Sequence, residues 1–232
     1  MIGSLNALLA ASVLFVASHF LLSSRPLRPR LNSLLGEMGF RILYSAVALG
    51  SFVWMAYAYG AAPYYEVWPP LPELRMIPIF VMPFAFILAV AGLTTKSPTV
   101  LGGEAWASAQ DPAPGILRVT RHPFLWAATL WAASHLLAQG DLATLVLCGA
   151  IMVLSLAGMR HIDLRREAAL GSAWGPVAMT TSLIPFAAIV TGRTKMDWAG
   201  LGVWRVVAGV AAYVIFLHLH GPLFGVAVLP GG

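Results

Sequence analysis

Six apolar runs punctuate this chain, at residues 2–22, 38–59, 76–93, 124–138, 142–159 and 203–224, each near the ~20 residues that a bilayer requires of a spanning helix. Hydrocarbon offers no water to backbone N–H and C=O groups, so runs of this kind must satisfy them internally, as helices do. The fold class expected is therefore all-α. It is a polytopic membrane helical bundle of about six transmembrane helices plus a cytoplasmic amphipathic segment, one domain over residues 1–232. Only 10% of the residues are charged and 59% are hydrophobic, whereas a soluble domain carries about a quarter charged residues. The single cysteine, Cys148, excludes an internal disulfide and reads as a small packing residue.

The net charge of +5 sits in particular loops, so it argues for membrane orientation and against a nucleic-acid partner. Arg25, Arg28 and Arg30 follow the first run. Lys96, Arg118 and Arg121 follow the third, and Arg160, Arg165 and Arg166 follow the fifth. The loops after the second and fourth runs hold only Arg75. The positive-inside rule then places the three basic loops in the cytoplasm and both termini outside. Tyr64, Tyr65 and Trp68 suit an interfacial aromatic belt. Pro78 and Pro83 should kink the third span. SLIPFAAIV, residues 182–190, is too short to cross and reads as interfacial or re-entrant. The short turn at residues 139–141 makes spans four and five a tight antiparallel hairpin.

The chemistry-bearing stretch is GILRVTRHPFLWAATLWAASHLLAQGD, residues 115–141. Pro123 suits the first turn of a helix, where its missing N–H has no partner to lose. Arg121 and His122 then stand at the helix mouth, and His135 lies deep in the apolar span. An intramembrane imidazole usually has a partner or a task. The sequence holds no glycine-rich phosphate loop, no HExxH and no paired intramembrane carboxylates. What remains is neutral imidazole in apolar surroundings, a common ligand of heme iron. Phe124, Ala128, Trp131 and His135 share one helix face, and the small Ala128 leaves room beside Trp131 for a flat ring. Topology sorts His19, His122 and His161 toward the cytoplasm, and His135, His218 and His220 toward the outside. Plainer roles stand beside these: interhelical hydrogen bonding for His135, a headgroup anchor for His122, a surface position for His161, and interfacial positions for His218 and His220.

SHFLLSSRPLR, GFRILYS, the RHP stretch with its later histidine, and SLIPFAAIVTGRTK together resemble the NnrU-domain family of membrane proteins over nearly the whole chain. That family includes a plant and cyanobacterial heme b protein that isomerises zeta-carotene between cis and trans forms. Its bacterial members are linked to nitrite and nitric oxide reduction. The resemblance implies a protein of the bacterial inner membrane that binds heme b, with His19 and His135 as the metal ligands. It makes His122 the RHP histidine, and the shared helix face makes Trp131 a neighbour of the cofactor. Arg25, Arg28 and Arg121 then become candidate propionate partners. It also implies an apolar small-molecule substrate or a reductase partner, besides the lipid bilayer. The isomerase's further histidine after its second span has no counterpart here, where the chain reads VWMAYAYGAAPYY. By depth alone, His19 with His122, or His135 with His218, are the better-matched pairs. A weaker likeness runs through RHP and REAALGSAWG to the isoprenylcysteine and phospholipid methyltransferases. It implies S-adenosylmethionine held at the cytoplasmic face by Arg121, His122 and Glu167, although Pro176 and Val177 replace the usual aromatic residues. A third reading is a non-enzymatic accessory of a nitrogen-oxide reductase.

Overall fold

Local capping signals set the helix boundaries of this computed structural model, which describes residues 4–100, 102–226 and 228. The Ser4 hydroxyl accepts from the Ala7 N–H and opens helix α1, Leu5–Leu22. A turn of four residues leads into α2, Leu27–Gly60. Gly36 interrupts α2 at φ 69°, ψ 168°, a backbone region that is essentially glycine's alone. The basic stretch after the first span is thus a helical arm that breaks from the span at Gly36, not a loop. Helix α3, Pro72–Thr94, begins on a proline and contains Pro78 and Pro83. A 3₁₀ turn at Glu104–Ser108 and the short α4, Ile116–Val119, occupy the following connection.

Helix α5, Pro123–Gln139, starts at the RHP proline and ends at Gly140, which is left-handed at φ 68°. Both Asp141 carboxylate oxygens then hold Thr144, one on its N–H at 3.0 Å and one on its hydroxyl at 2.6 Å, and open α6, Leu142–Leu170. The α5–α6 turn is clamped by the aromatic loop after α2. The N–H groups of Val67 and Trp68 donate to the Gly140 carbonyl, and Leu142 donates to Tyr65. Trp68 therefore does more than sit in an interfacial belt: its indole N–H caps α5 at the Leu137 carbonyl, 3.2 Å away. Helix α6 is 29 residues long and runs unbroken through RHIDLRREAAL. The expected amphipathic segment is thus a rigid continuation of the fifth span. Three short helices follow, α7 (Trp174–Thr180), α8 (Ala187–Val190) and α9 (Trp198–Leu201), before α10, Val203–Phe224. Only Ala187–Val190 of the expected interfacial stretch is helical.

Neighbouring helices pack in the order α2, α1, α6, α5, α3, α10. Small residues permit the close approaches. Ala127, Ala132 and Ala138 are buried on α5, and a Cβ on Gly92 of α3 would lie 2.8 Å from the Phe124 backbone nitrogen. Close backbone approach through small side chains is a main source of helix association where lipid is as apolar as leucine. The core between α1, α2 and α6 comprises Leu8, Ala11, Phe15, Met55, Ala58 and Ala143. Among the described residues, five helices are long and apolar enough to cross a bilayer. The fourth expected span, α5, has 17 residues, ~26 Å against a hydrocarbon core of ~30 Å. It lies between α3 and α6.

Candidate functional site

A cavity of about 510 Å³ opens between α1, α2, α5 and α6. Phe15, Phe52, Phe124, Ala128, Ile151 and Leu154 give it apolar walls, and His19, Tyr44 and His161 add polar atoms. Arg28, Arg41 and Arg165 line it as well, and among the described residues no carboxylate does. The Nε atoms of Arg41 and Arg165 are buried without a hydrogen-bond partner. Arg41 reaches Glu37 through its other end, at 2.5 Å.

His19 is prepared chemically by its own helix. Its Nδ1 lies 2.6 Å from the Phe15 carbonyl one turn earlier. A carbonyl only accepts, so Nδ1 carries the proton and Nε2 keeps its lone pair. Metal-ligating histidines are held in the same way, with the second nitrogen donating to a carbonyl. The ring edges against Phe15 and Tyr44 at centroid distances of 4.6 and 5.6 Å. Ser23 donates its hydroxyl proton back to the His19 carbonyl and therefore accepts from His161 Nε2 at 3.0 Å. His161 is accordingly a half-buried cavity residue, not a surface one.

The other candidates go elsewhere. His135 repeats the His19 arrangement, with Nδ1 2.8 Å from the Trp131 carbonyl and its ring tilted against Trp131 at 5.1 Å. Neither residue lines the cavity. The electrostatic neighbour of His135 is His220, on α10. His218 is exposed, and His220 Nδ1 donates to the Val226 carbonyl, 2.9 Å away. Arg25 is exposed and donates to the Leu164 carbonyl at 3.2 Å. Among the described residues, no three His, Cys, Asp or Glu side chains cluster as a metal site.

Arg121 and His122 belong to a second centre, built on a residue that is not among the sequence candidates. Asp163 of α6 accepts from Arg121 at 2.6 Å and bonds His122 Nε2 at 2.8 Å. All three are buried. Arg121 Nε donates to the Thr181 hydroxyl at 2.7 Å, and the guanidinium lies 5.0 Å from the Trp174 ring centre. Burial pulls the Arg121 guanidinium below its ordinary pKa, and the Asp163 carboxylate opposes that pull. The backbone joins in: Arg121 N–H donates to Ser182, Phe186 N–H donates to Val119, and the Trp126 indole donates to Leu183. The RHP segment and the IPFAAIV segment, some sixty residues apart, are thus one knot on α6. Asp163 is the only acid in the run RHIDLRR, which was the one available signal. Of the methyltransferase-like trio, Arg121 and His122 are bonded to Asp163, and the exposed Glu167 lies one turn further along α6, within electrostatic range of Arg121.

A family model described as NnrU protein matches residues 7–228. The chain belongs to the NnrU protein family. Curated relatives of this NnrU protein include two proteins named "15-cis-zeta-carotene isomerase, chloroplastic". The one from Arabidopsis thaliana is 27% identical over 199 residues, which is 81% of this chain and 51% of that protein. The one from Zea mays is 33% identical over 82 residues, 35% of this chain and 22% of that protein. The chain therefore spans about half the length of the Arabidopsis protein, and the match to the maize protein is shorter still. No solved structure matches.

Proposed function

We propose that this NnrU protein binds heme b in the cavity between α1, α2, α5 and α6 and acts there as a cis–trans isomerase of an apolar polyene of the zeta-carotene class. The observation that carries the reading is His19. It lines an apolar cavity with Nδ1 bonded to its own helix and Nε2 unengaged. A volume of about 510 Å³ lies within the ~300–1,000 Å³ common for cofactor and ligand sites. The donor set suits the group: one imidazole lone pair, aromatic walls, and three arginines for two carboxylates. His19 would hold the iron through Nε2. Arg28, Arg41 and Arg165 would hold the propionates, in place of Arg121, which Asp163 occupies. His135 is the second ligand that the family resemblance implies, and His161, inside the cavity, is its rival. When bound, heme would supply an iron centre whose ligation depends on oxidation state. The chain's own contribution is to exclude water with Phe15, Phe52 and Phe124, and to fix the His19 tautomer through Phe15.

The test is an optical spectrum of detergent-purified protein expressed with ample heme. A Soret band that is lost in His19→Ala is the expected result, and its absence from the wild type overturns the reading. His135→Ala against His161→Ala then identifies the second ligand. The basic end of the bundle, with Arg28, Arg121 and Arg165, is proposed to face the cytoplasm of a bacterial inner membrane, with both termini outside. Terminal reporter fusions active only on the outer side check this. A role as partner of a nitrogen-oxide reductase is the second reading, and it predicts co-purification with that enzyme.

A further inference from the structure

Arg28 and Arg165 stand in a wall between two hollows. On one side is the apolar cavity. On the other is a groove of about 320 Å³ formed by Ser23, Ser24, Arg25, Arg28 and Arg165 with the small Ala168 and its neighbours. The groove gathers three guanidiniums and two hydroxyls, and no carboxylate lines it. Nearby basic residues are neutralised within the fold: Arg41 by Glu37, Arg118 by Asp111, Arg121 by Asp163 and Arg166 by Glu104. None of the groove's three has a carboxylate at ion-pair distance among the described residues; Glu104, already bonded to Arg166, acts on Arg28 and Arg165 only from further off. Arg25 reaches only the Leu164 carbonyl, the Arg28 guanidinium lies 5.5 Å from the Phe40 ring centre, and among the described residues Arg165 makes no hydrogen bond or ion pair. Like charges gathered around one hollow repel, and a buried guanidinium nitrogen without an acceptor is costly. The arrangement is that of a site completed by an anion.

We propose that this groove binds the phosphate of an anionic phospholipid headgroup. Guanidinium forks match phosphate oxygens in pairs. The groove lies on the turn between α1 and α2, immediately past the end of the apolar α1, where the headgroup layer meets a span. Leu21, four residues before Arg25, is 61% exposed, so an acyl chain has apolar surface beside the site. A soluble phosphate lacks that second contact. The site does not rest on the heme reading. Each guanidinium carries five N–H donors, so Arg28 and Arg165 have donors for both sides of the wall.

The full chain in detergent, titrated under native mass spectrometry with phosphatidylglycerol, phosphatidylcholine or inorganic phosphate, tests it. Phosphatidylglycerol is expected to bind at least tenfold more tightly than phosphatidylcholine. The double variant Arg28→Gln, Arg165→Gln should weaken phosphatidylglycerol roughly thirtyfold, about fivefold per arginine. Arg30→Gln, exposed on α2 outside the groove, should leave it within about twofold. Circular dichroism checks the helix content of each variant. Arg165→Lys keeps the charge but loses the fork, and if the double variant fails to fold it decides alone: a loss above about twofold supports the site and a smaller one overturns it. Equal binding of the two lipids, an equal loss in Arg30→Gln, or displacement of phosphatidylglycerol by an equal concentration of inorganic phosphate would each overturn it.

Discussion

Asp163 bonds two cationic or protonatable partners with its two oxygens, and a buried carboxylate in that position is costly to neutralise by mutation. Asp163→Asn leaves the Arg121 guanidinium, whose side chain is 10% exposed, without its counter-charge. Removing one partner of a buried pair typically costs about 3–5 kcal/mol. His122→Ala removes a single hydrogen bond, so its cost should be nearer 1–3 kcal/mol. Thermal unfolding in detergent should therefore rank the variants wild type, His122→Ala, Asp163→Asn; the reverse order would remove Asp163 from the centre of the knot. Asp197 gives a pH signature at another junction. Its carboxylate accepts from the Gly200 and Gly115 N–H groups at 2.8 Å each, and these hold its pKa below the usual carboxylate value. A depressed folded pKa contributes stability above the unfolded value of about 3.9, and that contribution fades as pH falls through the folded one. Wild type should thus exceed Asp197→Asn in melting temperature at neutral pH, with the gap closing below about pH 4. A constant gap down to the lowest pH would refute the assignment.

Helix α2 shows how one residue redirects an element. Its periodic apolar pattern begins well into the helix, and the basic residues before it resemble a loop in composition. The structure makes them helical and turns the arm at Gly36, which brings Arg28 to the cavity that Arg41 also lines. A Cβ at Gly36 would meet nothing within 4 Å, so the penalty of Gly36→Ala is conformational, about 1–3 kcal/mol for this backbone region. The expected readout is a weaker Soret band or weaker lipid retention with overall helix content unchanged. Gly140 is constrained differently: it is left-handed, and a Cβ there would lie 2.2 Å from the Trp68 carbonyl oxygen. Gly140→Ala should loosen the α5–α6 hairpin and expose the 61–71 loop to protease, whereas an unchanged digestion pattern would show that the clamp is dispensable. These junctions were partly legible. Pro123 announces its helix start by residue type. The continuation of α6 past residue 159 was less visible, because charged residues end an apolar run without ending a helix.

At the scale of the whole molecule, the helices pack in a row from α2 to α10, and both centres lie where α6 meets its neighbours. Helix α10 packs on α3 through Gly209, where a Cβ would lie 2.7 Å from the Ile87 Cα, and Tyr213 donates to the Ile79 carbonyl at 2.9 Å. Gly209→Leu should therefore displace α10 while leaving the cavity's spectral and lipid-binding properties intact; loss of the Soret band in that variant would tie α10 to the site. Hydrophobic run length and the placement of arginines determined the membrane class, the positions of the spans and the basic end, because those follow from the cost of exposing backbone and charge to hydrocarbon. Residue type alone also marked His122 and His135 as unusual, and the family resemblance added His19. Which histidine lines a cavity, and that Asp163 rather than a ligand takes Arg121 and His122, depend on side chains brought together from α1, α5 and α6. Spacing along one helix fixes a face, but only the packing of several helices decides what that face meets.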